Sequence, residues 1–334
     1  MFTRIVVPLD GTEHAERALP VAARIARATR GSLFLVRVVL PPIRGTHTFS
    51  PTLTFSPAIA QAPTPYELAL AHASSYLHEV LQRYASVLVG IKIETEEISG
   101  AASSTIFQEA RLYNADLIVL CSRGETGLKR WIFSSIAQQS VRHSPACALV
   151  LNEHGLFPPF HRQDCPLRVL LPLDGSPCSE TALEPTIQLL AALVGSQQAV
   201  LHLFRIVAIP LPSGKTRSFA HGDAMTQEEE VLNAQRYLHT VIGSLQGKLP
   251  AGLNLTLGSS VGVERDVATA LLTEANASAP SAEPYDLMAM ATHGRSGLQR
   301  LLMGSVTEHL LGATQLPLLI VRPHEVMQEE KAHV

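Results

Sequence analysis

The sequence predicts an α/β protein made of two copies of one domain in tandem. Each copy should be an open parallel sheet with helices on both faces. Three observations carry this. First, the chain repeats itself. Arg4-Ile5-Val6-Val7-Pro8-Leu9-Asp10-Gly11-Thr12 recurs as Arg168-Val169-Leu170-Leu171-Pro172-Leu173-Asp174-Gly175-Ser176, and Ala115-Asp116-Leu117-Ile118 recurs as Tyr285-Asp286-Leu287-Met288. Gly127-Leu128-Lys129-Arg130 likewise returns as Gly297-Leu298-Gln299-Arg300. Second, short continuous apolar runs open and close each copy. Such runs suit strands buried on both faces of a parallel sheet. Third, those runs alternate with helical patterns, which is the signature of βαβ units.

The elements follow in order. Residues 5–9 and 169–173 are the first strands. After the first of them, Ala15, Ala18, Leu19, Ala22, Ile25 and Ala26 recur at helical spacing, with Arg17, Arg24 and Arg27 off the stripe. Gly31 is the expected stop of that helix. In copy two, Ser176 is the expected N-cap and Pro177 suits the first helical position. Second strands are expected at 33–39 and 200–207, followed by long Pro/Ser/Thr-bearing loops at 41–65 and 208–226. Helices are expected at 66–86 and 227–246. A third strand, a third helix, a fourth strand (117–121 and 287–291), a fourth helix and a fifth strand (148–151 and 318–322) complete each copy.

The domain boundaries read as 1–152 for copy one, 153–166 for a Gly- and Pro-bearing linker, 167–323 for copy two and 324–334 for a polar tail. Copy two carries a short net insertion, part of which fits 277–284. The bulk composition agrees with two ordinary cores: 334 residues, 46% hydrophobic and 16% charged. A formal net charge of -3 and the lack of a Lys/Arg-rich stretch argue against nucleic acid. No apolar run approaches the ~18 residues of a membrane span, and the opening residues read as a strand rather than a signal peptide. The four cysteines, Cys121, Cys147, Cys165 and Cys178, form no Cys-x-x-Cys pair and read as free thiols. His154, His161 and His221 have no metal-ligand spacing, so no metal site is expected. A cytoplasmic protein is the expectation.

In open α/β sheets, ligands sit beyond the carboxyl ends of strands where strand order reverses. Asp174 ends the first strand of copy two, and Ala291-Thr292-His293-Gly294 ends its fourth. Gly304-Ser305-Val306-Thr307 then stands at the expected start of the fourth helix. The first amides of a helix lack internal partners and favour an anion. Glycine lets a phosphate approach the main chain, and the Ser305 hydroxyl adds a donor. Helix-end electrostatics give roughly 0.3–2 kcal/mol, whereas micromolar affinity needs about 8 kcal/mol. A base and a sugar would have to contribute the rest.

These residues resemble the universal stress protein family. The strand end Pro-Leu-Asp-Gly-Ser, the run from Thr292 to Val306 and the closing Leu-Pro-Leu-Leu-Ile-Val-Arg strand carry the resemblance, which covers both copies. It implies a five-stranded sheet of order 3-2-1-4-5 in each half, the adenine-nucleotide alpha-hydrolase-like fold. That order makes strands one and four neighbours at the reversal. ATP-binding members carry Gly-x2-Gly-x9-Gly-Ser/Thr. Copy two matches at Gly294, Gly304 and Ser305 but has Ala291 at the first glycine, where a methyl threatens to crowd the ribose. By resemblance, Asp174 helps hold the ribose or adenine end and Ile206 lines the adenine site. Pro172, His293, Arg295, Val306 and Thr307 complete the expected set, with ATP, accompanied by Mg2+, as the cofactor.

Copy one departs further. Cys121, Gly124, Ser134 and Ser135 occupy its motif positions, and Asp10 and Val38 match Asp174 and Ile206. Glu125 stands where copy two has Arg295. An acid at ~5 Å from a triphosphate costs about 3 kcal/mol at an effective dielectric of ~20, and less in an exposed loop. Copy one is therefore expected to bind ATP weakly or not at all. Bland alternatives stand beside these readings: Asp174 as a helix cap, His293 as a turn residue, Arg295 as solvated surface, and the Tyr76-Leu77-His78 and Tyr237-Leu238-His239 echo as helix packing. The apolar fifth strand invites pairing, either between the two copies or between two chains. The expected function is a nucleotide-dependent stress-response switch with no catalytic residue. A nucleotide-free interaction module and a slow ATPase are the competing readings.

Overall fold

The computed structural model describes residues 2–41, 63–122, 144–152, 165–209, 226–276, 284–292 and 305–322. The first half runs β1 (Arg4–Leu9), α1 (Glu13–Glu16), α2 (Ala18–Thr29), β2 (Ser32–Val39), α3 (Pro65–Arg83), α4 (Ala85–Leu88), β3 (Lys92–Ser99), α5 (Ala102–Leu112), β4 (Leu117–Ser122) and β5 (Cys147–Asn152). The second half runs β6 (Leu167–Pro172), α6 (Pro177–Glu180), α7 (Leu183–Val194), β7 (Gln198–Ala208), α8 (Gln227–Gln246), β8 (Asn254–Glu264), α9 (Val267–Ala275), β9 (Leu287–Ala291), α10 (Ser305–Ala313) and β10 (Leu318–Val321). The fourth helix expected in the first half lies outside the described residues, as do most of both long loops.

The strands form one ten-stranded sheet of order β3-β2-β1-β4-β5-β10-β9-β6-β7-β8. Each half thus has the order 3-2-1-4-5, and every pairing within a half is parallel. The halves join edge to edge through their fifth strands, which run antiparallel with Leu318 opposite Val150 and Ile320 opposite Ala148. Of the two pairing modes open at the sequence level, the structure adopts the one within a single chain.

Both faces are covered because the central strands are apolar on both. One core cluster gathers Ile5, Val7, Leu19, Ile25, Leu77 and Val80 with Leu171, Ile187, Leu190 and Leu238, so it runs through both halves. The other lies under α5, α9 and α10 and includes Val6, Ile106, Phe107, Leu271, Met290 and Leu310. Each fully buried side chain of this size contributes about 1.5–3 kcal/mol. At the seam, α2 packs against α7, and Arg24 Nε donates to the Leu193 carbonyl at 2.6 Å.

Local chemistry explains most element ends. The long helices α3 and α8 begin with matching capping boxes, Thr64 with Glu67 and Thr226 with Glu229. Ser176 caps α6 and Pro177 opens it, as the sequence predicts. The expectation for Gly31 needs correction. The left-handed residue at the end of α2 is Arg30, with φ 54. Gly31 serves a different need: a Cβ there would stand 2.5 Å from the Thr3 carbonyl oxygen. It lets the helix end pass close over the start of β1. A single helix was also expected over 66–86, whereas α3 stops at Arg83 and a short turn, α4, follows Tyr84.

Candidate functional site

Strands one and four are tied together at their amino ends in both halves. The Thr3 and Arg4 amides donate to the two Asp116 carboxylate oxygens at 2.7 and 3.1 Å, and the Asp116 amide donates to the Arg4 carbonyl at 3.0 Å. In the second half the Arg168 amide donates to Asp286 Oδ2 at 2.8 Å, with the Asp286 amide returning to the Arg168 carbonyl. Beyond these ties the strands part. β6 pairs with β9 only through Val169–Leu287 and Leu170–Met288, while it pairs with β7 along its whole length. The carboxyl ends of β6 and β9, at Pro172 and Ala291, are not paired to each other. This opens a crevice at the point where strand order reverses, the general ligand position of such sheets.

Asp174 stands at one lip. Leu173 is still tied to β7 through its amide and the Phe204 carbonyl, 2.8 Å. Gly175 then takes φ 84, a left-handed turn that favours glycine. Asp174 Oδ1 accepts from the Ser176 amide at 2.9 Å and from the Ser176 hydroxyl at 2.6 Å. Ser176 in turn accepts from the Ser179 amide. The first half reproduces this turn, with Asp10 Oδ1 accepting from the Thr12 amide and hydroxyl at 2.9 and 2.5 Å. The bland reading of Asp174 therefore holds in part: its carboxylate organises the cap of α6.

The opposite lip is the end of β9. Ala291 is 8% exposed and belongs to the core cluster that also holds Leu171, Leu173 and Val321. Its methyl packs with that core. The next residue, Thr292, is tied by its amide to the Val321 carbonyl. Ile206, on β7, packs against the other cluster, as does Val306 in the first turn of α10; Thr307 is buried. Ser305 begins α10, as expected for a helix start. His293, Gly294, Arg295 and Gly304 lie outside the described residues, as do Gly124, Ser134 and Ser135 of the first half. Pro172, Asp174 and Ala291 thus stand at the ends of the parted strands, while Ile206 and Val306 pack against the second core cluster and Thr307 is buried. Asp10 and Val38 occupy the matching positions in the first half.

A polar cluster behind each Asp turn was read from the sequence only as helix packing. Tyr237 of α8 donates its hydroxyl to Glu180 Oε1 at 2.8 Å, and the Arg205 guanidinium lies 4.8 Å from its ring centre. Burial, then the Glu180 hydrogen bond and charge, raise the Tyr237 phenol above its ordinary value, and Arg205 opposes them. In the first half Arg37 lies 5.8 Å from the Tyr76 ring, and Glu16, 1% exposed, is taken instead by Arg83 at 2.7 and 3.0 Å. The signal was available: the Tyr-Leu-His echo, Glu16 with Glu180, and Arg37 with Arg205 each recur once per half. On the first-half side, burial pushes the Cys121 thiol up to about 12, with Asp10 adding to the rise and Arg17 opposing it.

Comparison with known proteins adds the following. A model of the Universal stress protein family matches residues 1–152 and again 167–322. A universal stress protein of Mycolicibacterium smegmatis is 24% identical over 324 residues, covering 96% of this chain and 97% of the relative. One from Methanocaldococcus jannaschii is 27% identical over 156 residues, 46% of this chain and 84% of that protein. Among solved structures, a universal stress protein from Archaeoglobus fulgidus superposes with a TM-score of 0.59 at 16% identity, covering 96% of this chain and 97% of its own. A protein of unknown function from Pseudomonas aeruginosa gives 0.61 at 17% identity, covering 99% and 96%. At these identities the two structures speak for the fold alone.

Proposed function

The chain belongs to the universal stress protein family, and on that premise we propose that it binds ATP in the crevice of its C-terminal half and acts as a nucleotide-dependent stress-response switch. The observation that supports this most is the parting of β6 and β9 beyond Leu170 and Met288. It leaves the carboxyl ends of β6 and β9, at Pro172 and Ala291, without mutual pairing beside the Asp174 turn. The residues present fit a nucleotide in kind. Asp174 and Ile206 would meet the ribose and base, and Gly294, Gly304 and Ser305 would offer main-chain amides and a hydroxyl to the phosphates. Mg2+ would neutralise phosphate charge there. In the N-terminal half, the loss of glycine at Cys121 and Ser134, together with Glu125, favours weak or absent ATP binding. We assign no catalytic residue; ATP turnover is expected to stay at the level of a Gly304→Asp control.

Equilibrium titration with ATP should saturate, and Gly304→Asp should abolish it. Saturable binding that survives this substitution rejects the site.

One observation favours a second reading, a nucleotide-free interaction module. Asp174 makes the same bonds to its own turn as Asp10 does in the half that keeps only Gly124 of the motif glycines. Denaturing the purified protein and identifying the released small molecules separates the two. No nucleotide, and no thermal shift on adding ATP, favours the module.

A further inference from the structure

We propose that the N-terminal half holds a second, separate site, which takes a small organic anion: a compact apolar body ending in one oxyanion group. A cavity of ≈580 Å³ opens at the carboxyl edge of the sheet on the α3 side of β2, lined by Gly11, Arg37, Val38, Leu40, His72 and Tyr76 together with alanines of α3 and α5. Its volume is that of ordinary small-molecule sites, roughly 300–1,000 Å³. The walls are mostly apolar, and one fixed cation, Arg37, stands among them.

The Arg37 guanidinium is seated from two sides. Nη1 donates to the Leu9 carbonyl at 3.3 Å, and the Tyr76 ring lies under it at 5.8 Å. Gly11, at φ 87, leaves it room: a Cβ there would come within 3.1 Å of Nη2. The Leu9 bond uses one of its several N–H groups, and a planar guanidinium fork matches a carboxylate or phosphate. The lining contains no acidic residue. Two acids stand near Tyr76: Glu16, neutralised by Arg83 at 2.7 Å, and Asp10, whose Oδ1 accepts from the Thr12 amide and hydroxyl of its own turn.

The C-terminal half lacks the same arrangement. Aligning Tyr76 with Tyr237 places Glu230 and Asn233 of α8 at the register of Ala69 and His72 of α3. An acid thus replaces a methyl on that wall, and Arg205 sits closer to its tyrosine, at 4.8 Å. Among the described residues, the acid-free wall beside the arginine–tyrosine pair is found in the first half. The cavity borders the weaker nucleotide set of the first half, sharing Val38 and adjoining Asp10 through Gly11, but it is built from α3, is separate from the C-terminal crevice and does not depend on the ATP reading.

The test is calorimetric titration of the full chain with phenyl phosphate and, separately, benzoate, with excess ATP present to fill the C-terminal crevice. Saturable binding of at least one probe is expected; which one binds tells a phosphate monoester from a carboxylate. Arg37→Met should weaken it by about tenfold or more, equivalent to roughly 1.4 kcal/mol. His72→Glu puts an acid at an exposed rim position, one helical turn from the register of Glu230, and should weaken binding with the melting temperature unchanged. Gly304→Asp should leave probe binding intact, which separates this site from the nucleotide crevice. Binding of neither probe, wild-type affinity in His72→Glu, or displacement of the probe by ATP overturns the proposal.

Discussion

The backbone of Arg168 and the side chain of Asp286 are reciprocally bonded: the Arg168 amide donates to Oδ2 at 2.8 Å, and the Asp286 amide donates to the Arg168 carbonyl at 2.8 Å. This tie sets where β6 and β9 meet and hence where they part. Asp286→Ala should lower stability by about 1–3 kcal/mol, the cost of leaving a partly buried donor unpaired, as read by denaturant unfolding. It should also weaken ATP binding. Asp116→Ala should lower stability similarly and leave ATP affinity unchanged.

His202 stands where the first half has Phe34 and introduces a pH dependence at that position. Burial holds its imidazole below its ordinary value of 6.5; Arg168 pushes the same way and Glu274 opposes. The unfolded chain therefore takes up this proton at higher pH than the folded one. The contribution of neutral His202 is complete above about pH 6.5 and is lost as pH falls toward the folded value. His202→Phe copies Phe34, which stacks on Tyr113 at 4.9 Å. It should flatten the melting temperature below pH 6.5. At neutral pH it should cost about 1 kcal/mol, because Ser260 loses the 2.8 Å bond to His202. An unchanged acid slope in the variant would show that another group carries it.

The four thiols should differ sharply in reactivity. Burial raises Cys121 and Cys147 to about 12, with Asp116 adding to the rise at Cys147. Cys178 is buried and Cys165 exposed. A native-state titration with an aromatic disulfide reagent should show one fast thiol, and denaturation should release four. Cys165→Ser should remove the fast phase.

The seam should hold without the chain that connects the halves. β5 pairs with β10, α2 packs on α7, and one core cluster spans both. A protease site placed within 153–164, once cut, should leave two fragments that co-elute on gel filtration. Leu319→Asp, at a fully buried position of β10, should separate them.

Much of the fold was legible because the repeat and the apolar runs report burial directly. The cores of β1, β6 and β9 are buried on both faces, and their sequences are near-continuous Val, Leu, Ile, Met and Ala. α8 runs 227–246 as the sequence predicts, and the structure shows Thr226 and Glu229 capping its start. Gly31 misled because its backbone role and its steric role look the same in a sequence; only the 2.5 Å approach to Thr3 tells them apart. The crevice was legible as a place, since Asp174 and Ala291 end neighbouring strands. Its neighbours were not. Arg37 lies on one strand and Tyr76 on a helix beyond a long loop, and a local periodicity cannot show that the two stack. The same limit hid the Glu180 partner of Tyr237.

Edge-to-edge union of β5 and β10 within one chain also frees the molecule from a rule that binds identical subunits. In a dimer of like chains, any substitution lands twice, once on each side of the axis. Here each lands once. Glu16 can take Arg83 while Glu180 takes Tyr237, and Phe34 can face His202 across the pseudo-dyad, without either choice disturbing its counterpart. The tether thus turns a symmetric pair into two independently adjustable halves, always present in equal number and always in register.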